Sequence, residues 1–282
     1  MKTITRSITV AAKHLYLIPL VLSMYSCNHT TKQTIAITDM SSSDSTVDLS
    51  HMIQLADTLY DSKKISLWAS DSLSNKFESL YLKYENDKTK SAASLDYQIV
   101  MDMGMMSHPG PSYPLVNLGN GVYRADVVFN MANIKDMGKG WLFKTIVKEE
   151  DKTDTLIFSL PVHQDSFTRT LLTKTKRNDQ LFVSCLLPQE VKVGKQTIAF
   201  VLSKKDKEIL SNVDDYTVAI EPFMPAMKHG SSENEHAKSI GNGKYSGMIH
   251  FSMPGEWIVK VKLMKDKETL SEDTLIYTVK VK

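Results

Sequence analysis

Six side chains in two short stretches define the chemistry this chain could perform. In "EPFMPAMKHG" (221–230), Met224, Met227 and His229 stand at i, i+3 and i+5, and in "MGMMSH" (103–108) Met103, Met106 and His108 repeat the spacing. Thioethers are soft, uncharged ligands, and together with imidazole they select Cu(I) over harder ions. Two thioethers and one imidazole complete a three-coordinate Cu(I) site, and only the histidine must be free of its proton to bind. One turn of chain is enough to bring residues at this spacing together. His236, Met248 and His250 are further candidates beside the second stretch, as are Met101 and Met105 beside the first. The competing reading is structural. Methionine usually fills cores, so the same residues could close the open end of a β-fold, with proline ending the sheet edge and the histidine left in solvent.

Other chemistry finds no foothold. No GxSxG, no HExxH and no zinc-type cysteine cluster occurs. The carboxylate groups "EED" (149–151) and "DD" (214–215) fall in expected turns, and the sequence is read as non-catalytic. Cys185, inside "LFVSCLL", has the setting of a buried strand residue. The Gly-Asn-Gly segments at 119–121 and 241–243 supply positive φ before a strand. They do not cradle phosphate, because no helix follows them.

The elements that must position these residues are written twice. "NLGNGVYRADVVFNM" (117–131) aligns with "SIGNGKYSGMIHFSM" (239–253), and each is followed by a tryptophan, Trp141 or Trp257, and a closing alternating strand. In the second copy, Tyr245, Gly247, Ile249 and Phe251 fall on one strand face, with Lys244, Ser246, Met248 and His250 on the other. Six or seven short antiparallel strands in each unit of about a hundred residues predict an all-β chain of two tandem immunoglobulin-like sandwiches. A short helix is expected near "HMIQLADTLYD" (51–61), and "DSFTRTLLTKTKRND" (165–179) carries no strand pattern.

The amino terminus has a different logic. Lys2, Arg6 and Lys13 precede the apolar run "LYLIPLVLSMY" (15–25), and Ser26-Cys27 follows. A basic start, a short apolar run and a small residue describe an export signal. The Ser-Cys junction resembles a bacterial lipobox, with Cys27 as the acylated first residue of the mature chain. The alternative is an ordinary cleaved signal with an incidental cysteine. Acyl chains hold a protein on a bilayer without a spanning helix, so the expected location is the cell envelope, lipid-anchored and facing the periplasm. The signal carries three of the 34 basic residues and no acidic one, which leaves 31 against 32 acidic. That balance excludes the basic face of a nucleic-acid binder.

The second copy resembles the YtkA-like domain, an exported β-sandwich related to FixH-type proteins. The resemblance rests on Met224, Pro225, Met227 and His229, then Gly243 and Tyr245, then Ser252, Met253, Pro254, Gly255 and Trp257. The first copy departs from the pattern, with Gly104 for the proline, "SHPG" for histidine-glycine and "NMAN" for "SMPG". The resemblance implies an envelope domain of a group linked to copper handling or to assembly of copper-containing respiratory oxidases. The expected organisation is a signal over 1–26, a tether over 27–60, sandwiches over 61–164 and 178–282, and a linker over 165–177. Two functions follow: a lipid-anchored Cu(I)-binding protein, or a tandem scaffold that binds other envelope proteins without metal.

Overall fold

The computed structural model describes residues 47–85, 94–149, 152–188, 190–207 and 209–282. All of these lie in one compact unit, Ile37–Lys282. Cys27, the signal and most of the expected tether fall outside the described residues. Every regular element described is a strand.

The first sandwich contains, in chain order, β1 (Ile53–Tyr60), β2 (Lys63–Ala69), β3 (Phe77–Tyr84), β4 (Ser94–Asp102), β5 (Ser107–Pro109), β6 (Val116–Gly119), β7 (Val122–Val128), β8 (Gly140–Glu149) and β9 (Lys152–Leu160). One layer runs β1-β2-β3-β7-β6 and the other β5-β4-β8-β9, all antiparallel. The layers meet where alternate residues turn inward. Leu80, Leu82, Ile99, Met101, Phe129, Trp141 and Phe143 are sealed in this core.

The second sandwich contains β10 (Thr170–Lys174), β11 (Gln180–Leu186), β12 (Gly194–Asp206), β13 (Ile209–Asn212), β14 (Thr217–Met224), β15 (His229–Gly230), β16 (Glu235–Gly241), β17 (Lys244–Phe251), β18 (Gly255–Lys265), β19 (Glu268–Thr269) and β20 (Leu275–Val281). Here the two layers form one curled sheet, β10-β11-β12-β17-β16-β14-β18, with β15 beside β14 and β20 beside β18. Its core holds Phe200, Tyr245, Ile249, Phe251, Trp257 and Tyr277. The alternation seen in the sequence is obeyed: Tyr245, Gly247, Ile249 and Phe251 are buried, while Lys244, Ser246, Met248 and His250 are half-buried.

Both Gly-Asn-Gly turns adopt positive φ at all three residues. A Cβ on Gly121 would lie 2.3 Å from the Tyr84 carbonyl oxygen, and one on Gly243 2.8 Å from that of Leu202. The third glycine is therefore required for the turn to lie against the neighbouring strand.

Two expectations are corrected. The stretch 51–61 forms strand β1, not a helix, because it pairs with β2 from Ile53 to Tyr60. Seven cross-strand pairs outweigh the weak helical spacing of Ile53, Ala56 and Tyr60. The span 165–177 contains β10, which lines up with β11 from Thr170 to Lys174 and continues the second sandwich. Tether and linker thus both give up residues to the sheets.

A third apolar cluster joins the sandwiches. Phe77 and Val128 from the first pack against Phe182, Val201 and Leu210 from the second, with Tyr113 and Leu186 at the margin. The Tyr113 hydroxyl lies 2.5 Å from Ser203 Oγ, and the Leu210 amide donates to the Ser112 carbonyl at 2.9 Å.

Candidate functional site

In each sandwich one end carries a lateral row of three side chains: histidine, methionine and tryptophan. In the second, the β14–β15 hairpin sets Met224 opposite His229. The β14–β18 register that matches Phe223 with Ile258 places Met224 opposite Trp257 one step further on. In the first, Met101 lies opposite His108 on β5 and opposite Trp141 on β8. Directly opposed residues on neighbouring strands share a face, with Cβ atoms roughly 5 Å apart. The row is therefore duplicated.

Register changes the identity of the first copy's methionine. The sequence pattern lays Met103 over Met224, whereas the strands lay Met101 over it. Both turns hold four residues, 103–106 and 225–228, but the β4–β5 ladder runs one pair further, Asp102 opposite Ser107, which leaves Met103 in the turn. Met103 is half-buried, its amide donating to the Met106 carbonyl at 2.9 Å. Met106 is 64% exposed and Met227, at the corresponding turn, 58% exposed. Of the six sequence candidates, the structure brings Met224 and His229 together, and sets Met227 at the turn tip above them. His108 is paired with a methionine that sequence spacing treated as a spare.

The tryptophans anchor both rows. Trp141 and Trp257 are fully buried, and their indole Nε1 groups donate to the carbonyls of Met131 at 2.9 Å and Met253 at 3.0 Å. Phe129 and Phe251 pack on them edge-to-face, with centroids 5.1 and 5.5 Å away. On each tryptophan the histidine stands edge-to-face in turn, at 6.4 Å for His108 and 5.8 Å for His229. The imidazole Nδ1 of His229 lies 2.7 Å from the Gly230 carbonyl, and that of His108 lies 3.2 Å from the Pro109 carbonyl. A carbonyl oxygen can only accept, so Nδ1 carries a proton and the neutral ring has its lone pair at Nε2. A held tautomer with a free Nε2 is the usual state of a ligating histidine.

The auxiliary candidates are placed otherwise. His236 Nδ1 accepts the Ile220 amide at 3.3 Å, so this ring serves the sheet. Met248 Sδ takes a contact from Thr197 Oγ1 at 3.9 Å, and His250 Nδ1 lies 3.2 Å from both Ser231 Oγ and the Ser232 carbonyl. Among the described residues, no three His, Cys, Asp or Glu side chains gather as a hard-ligand metal cluster. The donor set at the rows is thioether and imidazole, which suits only a soft ion. Cys185 is fully buried and burial pushes its thiol up to about 12, so it offers no thiolate.

Architecture and row together define a class: a tandem, immunoglobulin-like all-β protein with the same end site on each sandwich. The second sandwich is a YtkA-like domain, since residues 176–262 match that family's model. The match stops short of the first sandwich, whose kinship rests on the internal repeat. No curated protein matches the chain. Among solved structures, the FdeC adhesin of Escherichia coli is 12% identical with a TM-score of 0.26, covering 75% of this chain and 61% of its own. A DUF4785 family protein of Legionella pneumophila is 10% identical with a TM-score of 0.26, covering 77% of this chain and 56% of its own. The D00-D0 domain of Intimin is 11% identical, with a TM-score of 0.20 and coverage of 75% and 98%. This chain thus spans less than two thirds of the first two. Scores this low carry no argument about function.

Proposed function

We propose that this protein is a non-catalytic, lipid-anchored component of the bacterial envelope that binds Cu(I) at one end of each sandwich. The observation that carries the proposal is the duplicated His–Met–Trp row. Met224 and His229 would supply a thioether and an imidazole in the second sandwich, Met101 and His108 in the first. Met227 and the turn methionines Met103 and Met106 are the nearest sources of a third, soft ligand. The free Nε2 supports this reading. Copper here is cargo or a ligand to be handed on, for metal handling or oxidase assembly, and the anchor at Cys27 would hold the donor near membrane acceptors.

Anaerobic Cu(I) titration of the full-length chain in detergent, against a colorimetric chelator, tests the proposal. Wild type should bind two ions. The pair Met224→Leu/His229→Ala should lose one, Met101→Leu/His108→Ala the other, with circular dichroism unchanged in each. No binding by wild type, or full binding by both variants, would sink it.

One observation favours the scaffold reading. Met105, Met106, Ile134 and Met137 are exposed at one end of the first sandwich. Their loops touch, since a Cβ on Gly104 would lie 3.6 Å from Gly138. Flexible methionines on a surface suit an apolar partner. Loss of partner capture on Ile134→Ser/Met137→Ser, with copper binding intact, would separate that role from the metal.

A further inference from the structure

A thioether binds soft ions only while its sulfur is unoxidised, so the exposure of each methionine decides which ligands an oxidant would reach. The two sandwiches divide their methionines in the same way. On the ladders, Met101 is fully buried and Met224 is 4% exposed. The Met224 methyl is tucked under the start of β18, where a Cβ on Gly255 would lie 2.5 Å from its Cε. In the turns, Met106 and Met227 stand in solvent, each two residues before the histidine of its row. Main-chain bonds fix them there. The Met106 carbonyl accepts the Met103 amide at 2.9 Å, and the Met227 amide donates to the Met224 carbonyl at 3.3 Å. Among the described residues, four methionines are exposed: Met105, Met106, Met137 and Met227.

The division recurs although the turns differ in sequence, Met-Gly-Met-Met (103–106) against Pro-Ala-Met-Lys (225–228). Each candidate site therefore joins one sheltered thioether to one that meets solvent, and a two-electron oxygen donor such as hydrogen peroxide reaches the second first. The sulfur lone pair attacks one peroxide oxygen. An S–O bond forms as the O–O bond breaks, and the other oxygen leaves as water with both protons. Sulfur loses two electrons and the peroxide gains them. The resulting sulfoxide offers a hard oxygen in place of a soft sulfur, which Cu(I) disfavours. The ladder methionines stay sealed, so the cores keep their packing. Reductases return sulfoxide to thioether, which makes the change reversible.

Resting on the copper reading above, we propose that Met106 and Met227 are oxidation sites at which a peroxide-class oxidant releases Cu(I), while Met101 and Met224 keep their sulfurs and the fold stays intact. The sandwiches then act as carriers that let go of the ion under oxidising conditions and regain it on reduction.

The metal-free, full-length chain in detergent, treated with hydrogen peroxide and then catalase, gives two readouts. Peptide mass spectrometry should find sulfoxide at Met106 and Met227 well before Met101 and Met224. Anaerobic Cu(I) titration should show affinity lowered at least about tenfold at both sites, with circular dichroism unchanged and methionine sulfoxide reductase restoring the binding. Met106→Leu/Met227→Leu should bind as weakly as the oxidised wild type, and no more weakly after peroxide. Met137→Leu, which removes an exposed methionine outside the rows, should respond as wild type does. Equal oxidation of ladder and turn methionines, undiminished affinity after peroxide, or a peroxide response in Met106→Leu/Met227→Leu would overturn the proposal. A wild type that binds no Cu(I) before peroxide would sink the copper reading and the switch with it, whatever the sulfoxide pattern.

Discussion

At the scale of single residues, the rows are distinguished by what holds them. Each imidazole is held twice, by a backbone carbonyl at Nδ1 and by a buried indole, so a ligand at Nε2 meets a ring that need not reorient. Proton competition follows directly. A ligating imidazole nitrogen must be free of its proton to bind a metal, so Cu(I) affinity should fall as pH drops from 7 to 5. Chelator competition across that range measures it, and the residual, pH-independent part reports the thioethers. A second titration concerns stability. Glu78, on β3, is buried 3.5 Å from Lys76 Nζ, and burial pushes its carboxyl from 4.5 up to about 7. Between those values the folded chain keeps a proton that the unfolded chain has released, so stability declines as pH rises through the window. The loss is about 3 kcal/mol at most. Urea midpoints from pH 4.5 to 7.5 should show this slope, and Glu78→Gln should flatten it. Met224, Met227 and His229 were visible from composition and spacing alone. Met101 was not, because a matching Met-x-x-Met-x-His string two residues on hides the ladder's true partner.

At the scale of elements, the sequence made most strands legible because polar and apolar residues alternate where one face is buried. β17 is the clearest case, each inward residue sealed and each outward one half-buried. β1 and β10 were missed for opposite reasons. β1 sits at a sheet edge with little burial on either face, so its residues carry scarcely any period of two. β10 is five residues, too short for a period to register. Both are made strands by their neighbours. The Gly-Asn-Gly turns test the element scale. Gly121→Ala should destabilise by about 2–4 kcal/mol, combining a strained positive φ with a carbonyl clash. Gly119→Ala, equally left-handed but facing open space, should cost only about 1 kcal/mol. Paired urea denaturations compare them. If the two cost the same, the packing of the turn against Tyr84 contributes nothing.

At the scale of the whole molecule, two sandwiches share a small core of their own. Leu210 sits in it on β13, and its amide ties down Ser112. The described chain should therefore unfold in one transition. Leu210→Asp, which buries a charge in that cluster at a cost of several kcal/mol, should split calorimetric unfolding into two steps. A single transition in the variant would mean that the sandwiches are coupled elsewhere.

The shared core also makes the protein a caliper. His108 and His229 belong to different sandwiches, yet neither can move without the other while Phe77, Val128 and Phe182 stay packed. Their span is then a constant of the molecule, set at folding. Spin labels at Ser107 and Lys228, with Cys27 replaced and Cys185 sealed from reagent, should give one narrow distance distribution. An acceptor large enough to touch both ends would be measured against that span.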